Sequence, residues 1–233
     1  MSEYASPAEA GAHGHAHAHA HHPALQHHFD TLDQQQHAAT FGMWVFLVTE
    51  VLFFGGLFMA YVLYRTWYPE MFVHASSQLD IKLGAINTIV LIGSSLTMAL
   101  AVHAAQTGNR RAIVWFLVLT MILGAVFLGI KVIEYAQKFE HHLVPGPYFQ
   151  FPAEWGGATG QLYFSLYFAM TGLHALHMII GMGIMTVITI MAVKNRFSPE
   201  WYTPVEITGL YWHFVDIVWI FLFPLLYLIG GAH

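Results

Sequence analysis

The sequence predicts an all-α fold, a polytopic membrane protein built as a bundle of five transmembrane helices. Of its 233 residues, 57% are hydrophobic and only 9% are charged, whereas a soluble domain usually carries about 25% charged residues. Five apolar segments each reach the roughly 20 residues that a helix needs to cross a bilayer. Together these observations indicate that lipid surrounds most of the chain.

The composition also excludes several kinds of site. There is no cysteine, so a disulfide framework, a thiolate metal site and a covalently attached c-type haem are ruled out. No glycine-rich phosphate loop, catalytic triad or nucleic-acid patch is present. The polar N-terminal stretch lacks an apolar core of its own, so we expect no cleaved signal peptide.

Residues 1–40 differ from the rest of the chain. They hold nine of the 17 histidines and no lysine or arginine. Such a composition cannot bury a core, which predicts a largely disordered polar tail. A mobile tail with loose metal affinity is favoured over a dedicated metal site, and residues 24–40 are predicted to form a short interfacial helix.

The five predicted spans belong to one domain, residues 41–233. They cover about 41–64, 83–105, 112–136, 161–193 and 205–230. The fourth segment is longer than a bilayer requires, so it should tilt or project beyond the membrane. The connections are short except for residues 137–160, which are predicted to form an ordered surface loop.

The last span carries polar residues where a lipid-facing helix would not. Glu206, Gly209, His213, Asp216 and Ile220 follow a three- and four-residue spacing that puts them on one face. A carboxylate near mid-depth costs several kcal/mol unless it faces protein or water. This face is therefore predicted to contact other helices.

Glu50 lies about ten residues into the first span, at a depth similar to that predicted for Asp216. Such a carboxyl group must be either protonated or paired. Two interpretations remain open for Glu50. One is a proton-active group, and the other is a structural carboxyl group hydrogen-bonded to a neighbouring helix.

The third and fourth spans add further polar residues. His174 and His177 share a face, and metal or haem ligation is possible in principle. A hydrogen-bonded network between helices, in which imidazoles partner carboxyl groups, is favoured, and the twin Glu-x-x-His pattern of a di-iron site is absent. Glu134 follows Lys131 at a spacing that allows the two to neutralise each other, and Asn87 suits interhelical hydrogen bonding.

Orientation is weakly determined by the positive-inside rule. With a cytoplasmic N-terminus, the inner side carries Arg110, Arg111, Lys194 and Arg196, and the outer side carries Arg65, Lys82, Lys131 and Lys138. Lys131 lies at a helix end beside Glu134, so it is not counted with the outer loops. The inner side then carries the larger number of basic residues, which favours a cytoplasmic N-terminus and a periplasmic C-terminus.

Several motifs together resemble subunit III of the haem–copper respiratory oxidases. They are YWHFVDIVW at 211–219, HALHMIIG at 174–181, Glu134-Tyr135, the segment 83–102, and Glu50 within TEVLFF, which falls on the family's carbodiimide-reactive glutamate. The resemblance covers about residues 41–230 in order. It is to the five-helix bacterial form, without the first two helices of the seven-helix form.

The resemblance implies a non-catalytic subunit of a proton-translocating oxidase that reduces oxygen to water. Haem and copper would reside in subunits I and II, and this chain would hold neither metal nor cofactor. It would stabilise subunit I, bind phospholipid and support proton uptake in a bacterial inner membrane, with no nucleic-acid partner.

Cytochrome c is the preferred electron donor. The alternatives are the equivalent subunit of a quinol oxidase and a homologue associated with nitric oxide reductases. Two alternatives belong to different classes of protein. One is a His-ligated membrane cytochrome or metal carrier. The other is a transporter, but the five helices show no inverted repeat. If the chain is an oxidase subunit, we expect the polar centre of the bundle to be formed by Glu50 and Asp216 with His174, His177 and His213.

Overall fold

A computed structural model describes residues 24–228, and all five predicted spans are helical within it. The long helices are α1 (Leu32–Trp67), α3 (Ile81–Gln106), α4 (Arg110–Glu140), α5 (Gly160–Val193) and α6 (Thr203–Tyr227). A short helix, α2 (Pro69–Ser76), follows α1. Each long helix is apolar and long enough to cross a membrane, so the chain is a multi-pass membrane protein.

The first helix starts earlier than the sequence suggested. It begins at Leu32 rather than near residue 41, because the Thr31 side chain caps it by accepting from the Gln34 amide at 3.1 Å. Residues 32–40 are thus a continuous extension of the first span and not a separate interfacial helix. The predicted disorder of residues 1–22 and the last part of the fifth span, 229–230, lie outside the described residues.

The polar connection at 137–160 is ordered in part by contacts with α2. Helix α4 continues to Glu140, and two single-turn 3₁₀ helices follow at Ala153–Trp155 and Gly157–Thr159. The Trp155 indole stacks on the His74 ring with centroids 5.1 Å apart. Gly156 has φ +113°, and a side chain there would meet Met71 at 2.9 Å, so this turn needs glycine.

Helix α6 is the centre of the bundle. It packs against α3, α5 and α1, while α3 and α4 form a hairpin. The Trp212 indole lies between two glycines, Gly124 of α4 and Gly181 of α5, where an added Cβ would come within 3.0 Å of the ring. Small residues at these positions let the three helices approach closely.

Hydroxyl groups on α3 receive the indole N–H groups of α6. Trp212 Nε1 donates to Ser94 Oγ at 3.0 Å, and Trp219 Nε1 donates to Thr88 Oγ1 at 3.1 Å. A buried indole N–H without an acceptor would cost free energy. These two bonds therefore contribute to setting the rotation of α6 relative to α3.

The C-terminal end of α6 is held by three hydroxyl donors from other helices. Tyr61 donates to the Leu225 carbonyl at 2.6 Å, and both Ser76 and Tyr163 donate to the Leu226 carbonyl, at 2.7 and 2.8 Å. The last carbonyls of a helix lack partners within the helix. Helices α1, α2 and α5 supply them here.

Helix α1 is attached to the bundle along a single seam. Its buried residues, Leu47, Phe54 and Tyr61, are spaced seven apart, which places them on one narrow stripe. The other faces expose large apolar side chains, such as Phe41 at 70% and Leu52 at 71%. Lipid or another protein chain must cover those faces.

Candidate functional site: three polar clusters in the bundle

Most of the intramembrane polar residues selected from the sequence fall into three separate clusters. We name them the Glu50–His177 pair, the Lys131 network and the Asp216 groove. Each cluster joins a different combination of helices, and within residues 24–228 no hydrogen bond connects one cluster to another. The polar residues are thus distributed over the bundle rather than gathered at one centre.

The Glu50–His177 pair joins α1 to α5. Glu50 Oε2 lies 3.0 Å from His177 Nε2, and the two side chains are 18% and 14% exposed. The His177 ring also packs edge-on against Phe54, with centroids 5.2 Å apart. Tyr211 of α6 donates to the His177 carbonyl at 3.0 Å, so three helices meet at this pair.

Hydrogen-bond geometry restricts where protons can sit on this pair. His177 Nδ1 lies 2.7 Å from the Leu173 carbonyl, which can only accept, so Nδ1 carries a proton. Because a carboxylate oxygen and an unprotonated ring nitrogen would repel each other at 3.0 Å, we infer one further proton between Nε2 and Glu50 Oε2. The pair is then either a neutral carboxylic acid bonded to a neutral imidazole or a carboxylate bonded to an imidazolium, and it has no net charge in either form.

The Lys131 network is closed and fully buried. Lys131 Nζ donates to Glu134 Oε2 at 3.0 Å, to the Tyr167 hydroxyl at 3.1 Å and to the Tyr227 hydroxyl at 2.9 Å. Both phenols then donate to Glu134 Oε1, at 2.8 and 2.6 Å. All three ammonium hydrogens therefore have acceptors, and α4, α5 and α6 are joined at one point.

Aromatic rings complete the surroundings of this ammonium group. Its nitrogen lies 5.1 to 5.6 Å from the ring centroids of Tyr135, Tyr167, Trp219 and Tyr227. Cation–π attraction at such distances offsets part of the cost of burying the charge. The predicted Lys131–Glu134 ion pair is confirmed, and the rings show how it is tolerated inside the bundle.

His174 and Asn87 are enclosed near this network. The His174 ring is fully buried between Phe127, 5.4 Å away, and Trp219, 5.3 Å away, and neither ring nitrogen has a hydrogen-bond partner in the described chain. Asn87 Nδ2 donates to the Phe127 carbonyl at 3.4 Å. His174 and His177 thus point to different neighbours although they are three residues apart.

The Asp216 groove lies between α3 and α6. His213 Nδ1 is 2.7 Å from Ser95 Oγ, and Asp216 is 3% exposed with no hydrogen-bond partner for either oxygen in residues 24–228. The Ser95 hydroxyl also lies near this carboxyl group, but the contact that it makes with hydrogen-bond geometry is the one to His213. The three side chains line a groove of about 380 Å³.

The remaining predicted residue, Glu206, is in the first turn of α6. It accepts from Gln36 Nε2 of α1 at 3.3 Å, so it joins the polar extension of α1 to α6 rather than the intramembrane clusters. No group of three or more His, Cys, Asp or Glu side chains in the described part of the chain could hold a metal ion.

Several residues of these clusters were not selected from the sequence. Tyr167 and Tyr227 complete the Lys131 network, Gln36 partners Glu206, and Ser95, which was noted only as a hydrogen-bonding residue of its helix, partners His213. A usable signal existed for the tyrosines, because a buried lysine–glutamate pair leaves hydrogen-bonding capacity that other helices must fill. The two tyrosines are 36 and 96 residues from Lys131 in sequence, so the sequence did not indicate which helices supply these hydrogen-bonding partners.

The fold and these clusters define a class of protein: a multi-pass membrane protein whose intramembrane polar residues join its own helices. A family model described as cytochrome c oxidase subunit III matches residues 24–231. The chain therefore belongs to the subunit III family of the haem–copper oxidases, which confirms the resemblance derived from its motifs.

Individual relatives come from both branches of this family. The chain is 32% identical over 189 residues to the quinol oxidase subunit 3 of Bacillus subtilis, covering 81% of this chain and 86% of the relative. It is 34% identical over 193 residues to the cytochrome c oxidase subunit 3 of Thermostichus vulcanus, with the same two coverages. The chicken (Gallus gallus) cytochrome c oxidase subunit 3 is 32% identical over 214 residues, covering 88% and 74%.

Proposed function

We propose that the chain is the non-catalytic subunit III of a proton-translocating terminal oxidase that reduces oxygen to water. Haem and copper would be held by subunits I and II of the same complex. The single observation that carries this proposal is the family match over residues 24–231 on a bundle of five helices able to span a membrane.

Helix α1 supports a role in binding phospholipid and in packing against subunit I. It is fixed to the bundle by one seam, and its remaining faces are apolar and exposed. An apolar face of this length is stable only against acyl chains or another spanning helix. Phospholipid and subunit I are the occupants that the oxidase assembly would supply.

The Glu50–His177 pair supports the proposed role in sustaining proton uptake. The Glu50 oxygen and the His177 nitrogen are 3.0 Å apart, close enough to share a proton, and the pair is partly exposed at the surface of the bundle. A neutral pair of this kind can exchange its shared proton position without creating a net charge in the membrane. We propose that it stabilises the complex during turnover and is not part of the oxygen-reducing site.

Cytochrome c is the proposed electron donor to the complex. A quinol donor is the second candidate, favoured by the similarity to the Bacillus subtilis quinol oxidase subunit. The proposed location is a bacterial inner membrane, with the N-terminus in the cytoplasm and the C-terminus in the periplasm.

Mild solubilisation and purification through a tag on this chain would test the proposal. Optical spectra, metal analysis and mass spectrometry should show haem and copper together with subunits I and II. After removal with harsher detergent, this chain should be colourless and free of metal. Haem or metal that stays on the separated chain would instead support a membrane cytochrome or metal carrier.

Glu50→Ala separates a supporting role from a catalytic one. The purified complex should keep the haem spectra of the wild type, because within residues 24–228 the hydrogen bond of Glu50 is to His177 of the same chain. Loss of those spectra in a normally assembled complex would contradict the non-catalytic role.

A further inference from the structure

The Asp216 groove is a surface of this chain that the intramolecular contacts leave incomplete. Asp216 is the carboxyl group on its floor, and its two oxygens have no hydrogen-bond partner although the side chain is 3% exposed. A buried acceptor without a donor destabilises the folded chain, and more so if it is charged. A partner that supplies a donor would remove this cost.

The rim of the groove is apolar and open to the bilayer. Ile92 and Leu96 of α3 are 55% and 61% exposed, and Ile217 and Ile220 of α6 are 51% and 47% exposed. These four side chains line the same groove as Asp216. An occupant must therefore be apolar along most of its length and must carry a polar donor at one level.

The depth of Asp216 decides which occupant can do this. It lies thirteen residues after Thr203 and eleven before Tyr227 in α6, which is about 20 Å and 17 Å from the two helix ends at 1.5 Å per residue. Lipid headgroups lie about 15 Å from the centre of the hydrocarbon core. Only acyl chains reach this level, and they carry no hydrogen-bond donor.

We infer that the Asp216 groove receives a membrane-spanning helix of a companion subunit, which places a side-chain hydrogen-bond donor against the Asp216 carboxyl group. The donor must be a side chain, because the backbone N–H groups of a spanning helix are used within that helix. The inference rests on the proposed function, since it requires the chain to assemble with other membrane subunits.

Photo-crosslinking in the intact complex tests this directly and keeps Asp216 in place. A benzophenone amino acid is introduced at Leu96 or Ile217, and the complex is irradiated in native membranes before purification. The expected result is a crosslink, identified by mass spectrometry, to one spanning helix of a companion subunit at mid-depth. Crosslinks only to lipid, only to a second copy of this chain, or to no protein in an assembled complex would overturn the inference.

A substitution then tests the carboxyl group itself. Asp216→Leu should increase the rate at which the chain dissociates from the complex in detergent by about tenfold or more, since a charge-assisted bond across the interface contributes about 1.5–3 kcal/mol. The matched control is Thr189→Val, which removes a hydroxyl bonded only to Met185 of its own helix and should leave the dissociation rate unchanged. An unchanged rate for Asp216→Leu would refute the proposed bond.

The outcomes separate this inference from the proposed function. A tagged chain that brings down no other oxidase subunit would refute both. A complete oxidase complex in which the groove faces only lipid would refute the inference alone and leave the subunit III proposal standing.

Discussion

Lys131→Met should be among the most damaging single changes in the bundle. The Lys131 side chain is 4% exposed, and that of its partner Glu134 is 1% exposed. The substitution leaves the Glu134 carboxylate buried with only the Tyr167 and Tyr227 hydroxyls as donors. Breaking a buried ion pair by removing one partner costs about 3–5 kcal/mol, and that loss is the expected decrease in the free energy of unfolding.

The double variant Lys131→Met with Glu134→Leu should lose less than the single variant. Replacing a buried ion pair by apolar residues is often neutral or stabilising, and two neutral phenols that lose their acceptor cost less than a buried carboxylate that loses its cation. The double variant should therefore fall between the wild type and Lys131→Met. The two substitutions should be coupled by about 1 kcal/mol or more, because their side chains are in direct contact.

The assay is titration of the purified chain from a mild detergent into sodium dodecyl sulfate, followed by circular dichroism and tryptophan fluorescence. Lys82→Met is the control, since Lys82 is exposed and its replacement should change the free energy of unfolding by less than about 0.5 kcal/mol. A loss below about 1 kcal/mol for Lys131→Met, or strictly additive effects in the double variant, would refute the reasoning.

Three further predictions use the same unfolding assay. Gly181→Leu should destabilise the bundle by about 1–3 kcal/mol, because an added Cβ alone would lie 3.0 Å from Trp212. Gly183→Ala is the control and should be neutral or slightly stabilising, since nothing lies within 4 Å of an added Cβ there. Equal effects of the two substitutions would exclude close packing as the cause. Glu50→Ala should cost about 1–3 kcal/mol through the unpaired His177 nitrogen, with Glu50→Gln nearer the wild type. Tyr163→Phe should cost about 1 kcal/mol by removing one donor to the end of α6, and an unchanged stability would show that this cap is dispensable.

The sequence was most informative where one helix determines the outcome. Continuous apolar segments set the five spans, because each needs only its own length and composition to be recognised. The Lys131–Glu134 pair followed from a spacing of three residues. The short helix α2 was missed because it is too short to give an apolar pattern. Residues 32–40 were predicted as part of a separate interfacial helix rather than as the start of α1, because they are polar.

Partners on other helices could not be predicted in the same way. Glu50 needed a partner on energetic grounds, but His177, 127 residues away, was one of several candidates. His213 and Asp216 share a face of α6, yet only His213 found a hydrogen bond, to Ser95. Which of two neighbouring polar groups is satisfied depends on the rotation of α6 against α3, and that rotation is fixed by side-chain contacts of many residues.

The central position of α6 has a consequence for how the chain enters the membrane. Among the five described spans it is the most buried and the least apolar, and it follows the other four along the chain. A segment with His213 and Asp216 near its middle is a poor substrate for direct partitioning into lipid. We expect its insertion to be favourable when α3, α4 and α5 are already assembled beside it. A pause in synthesis after the fourth span should therefore raise the yield of correctly inserted chain.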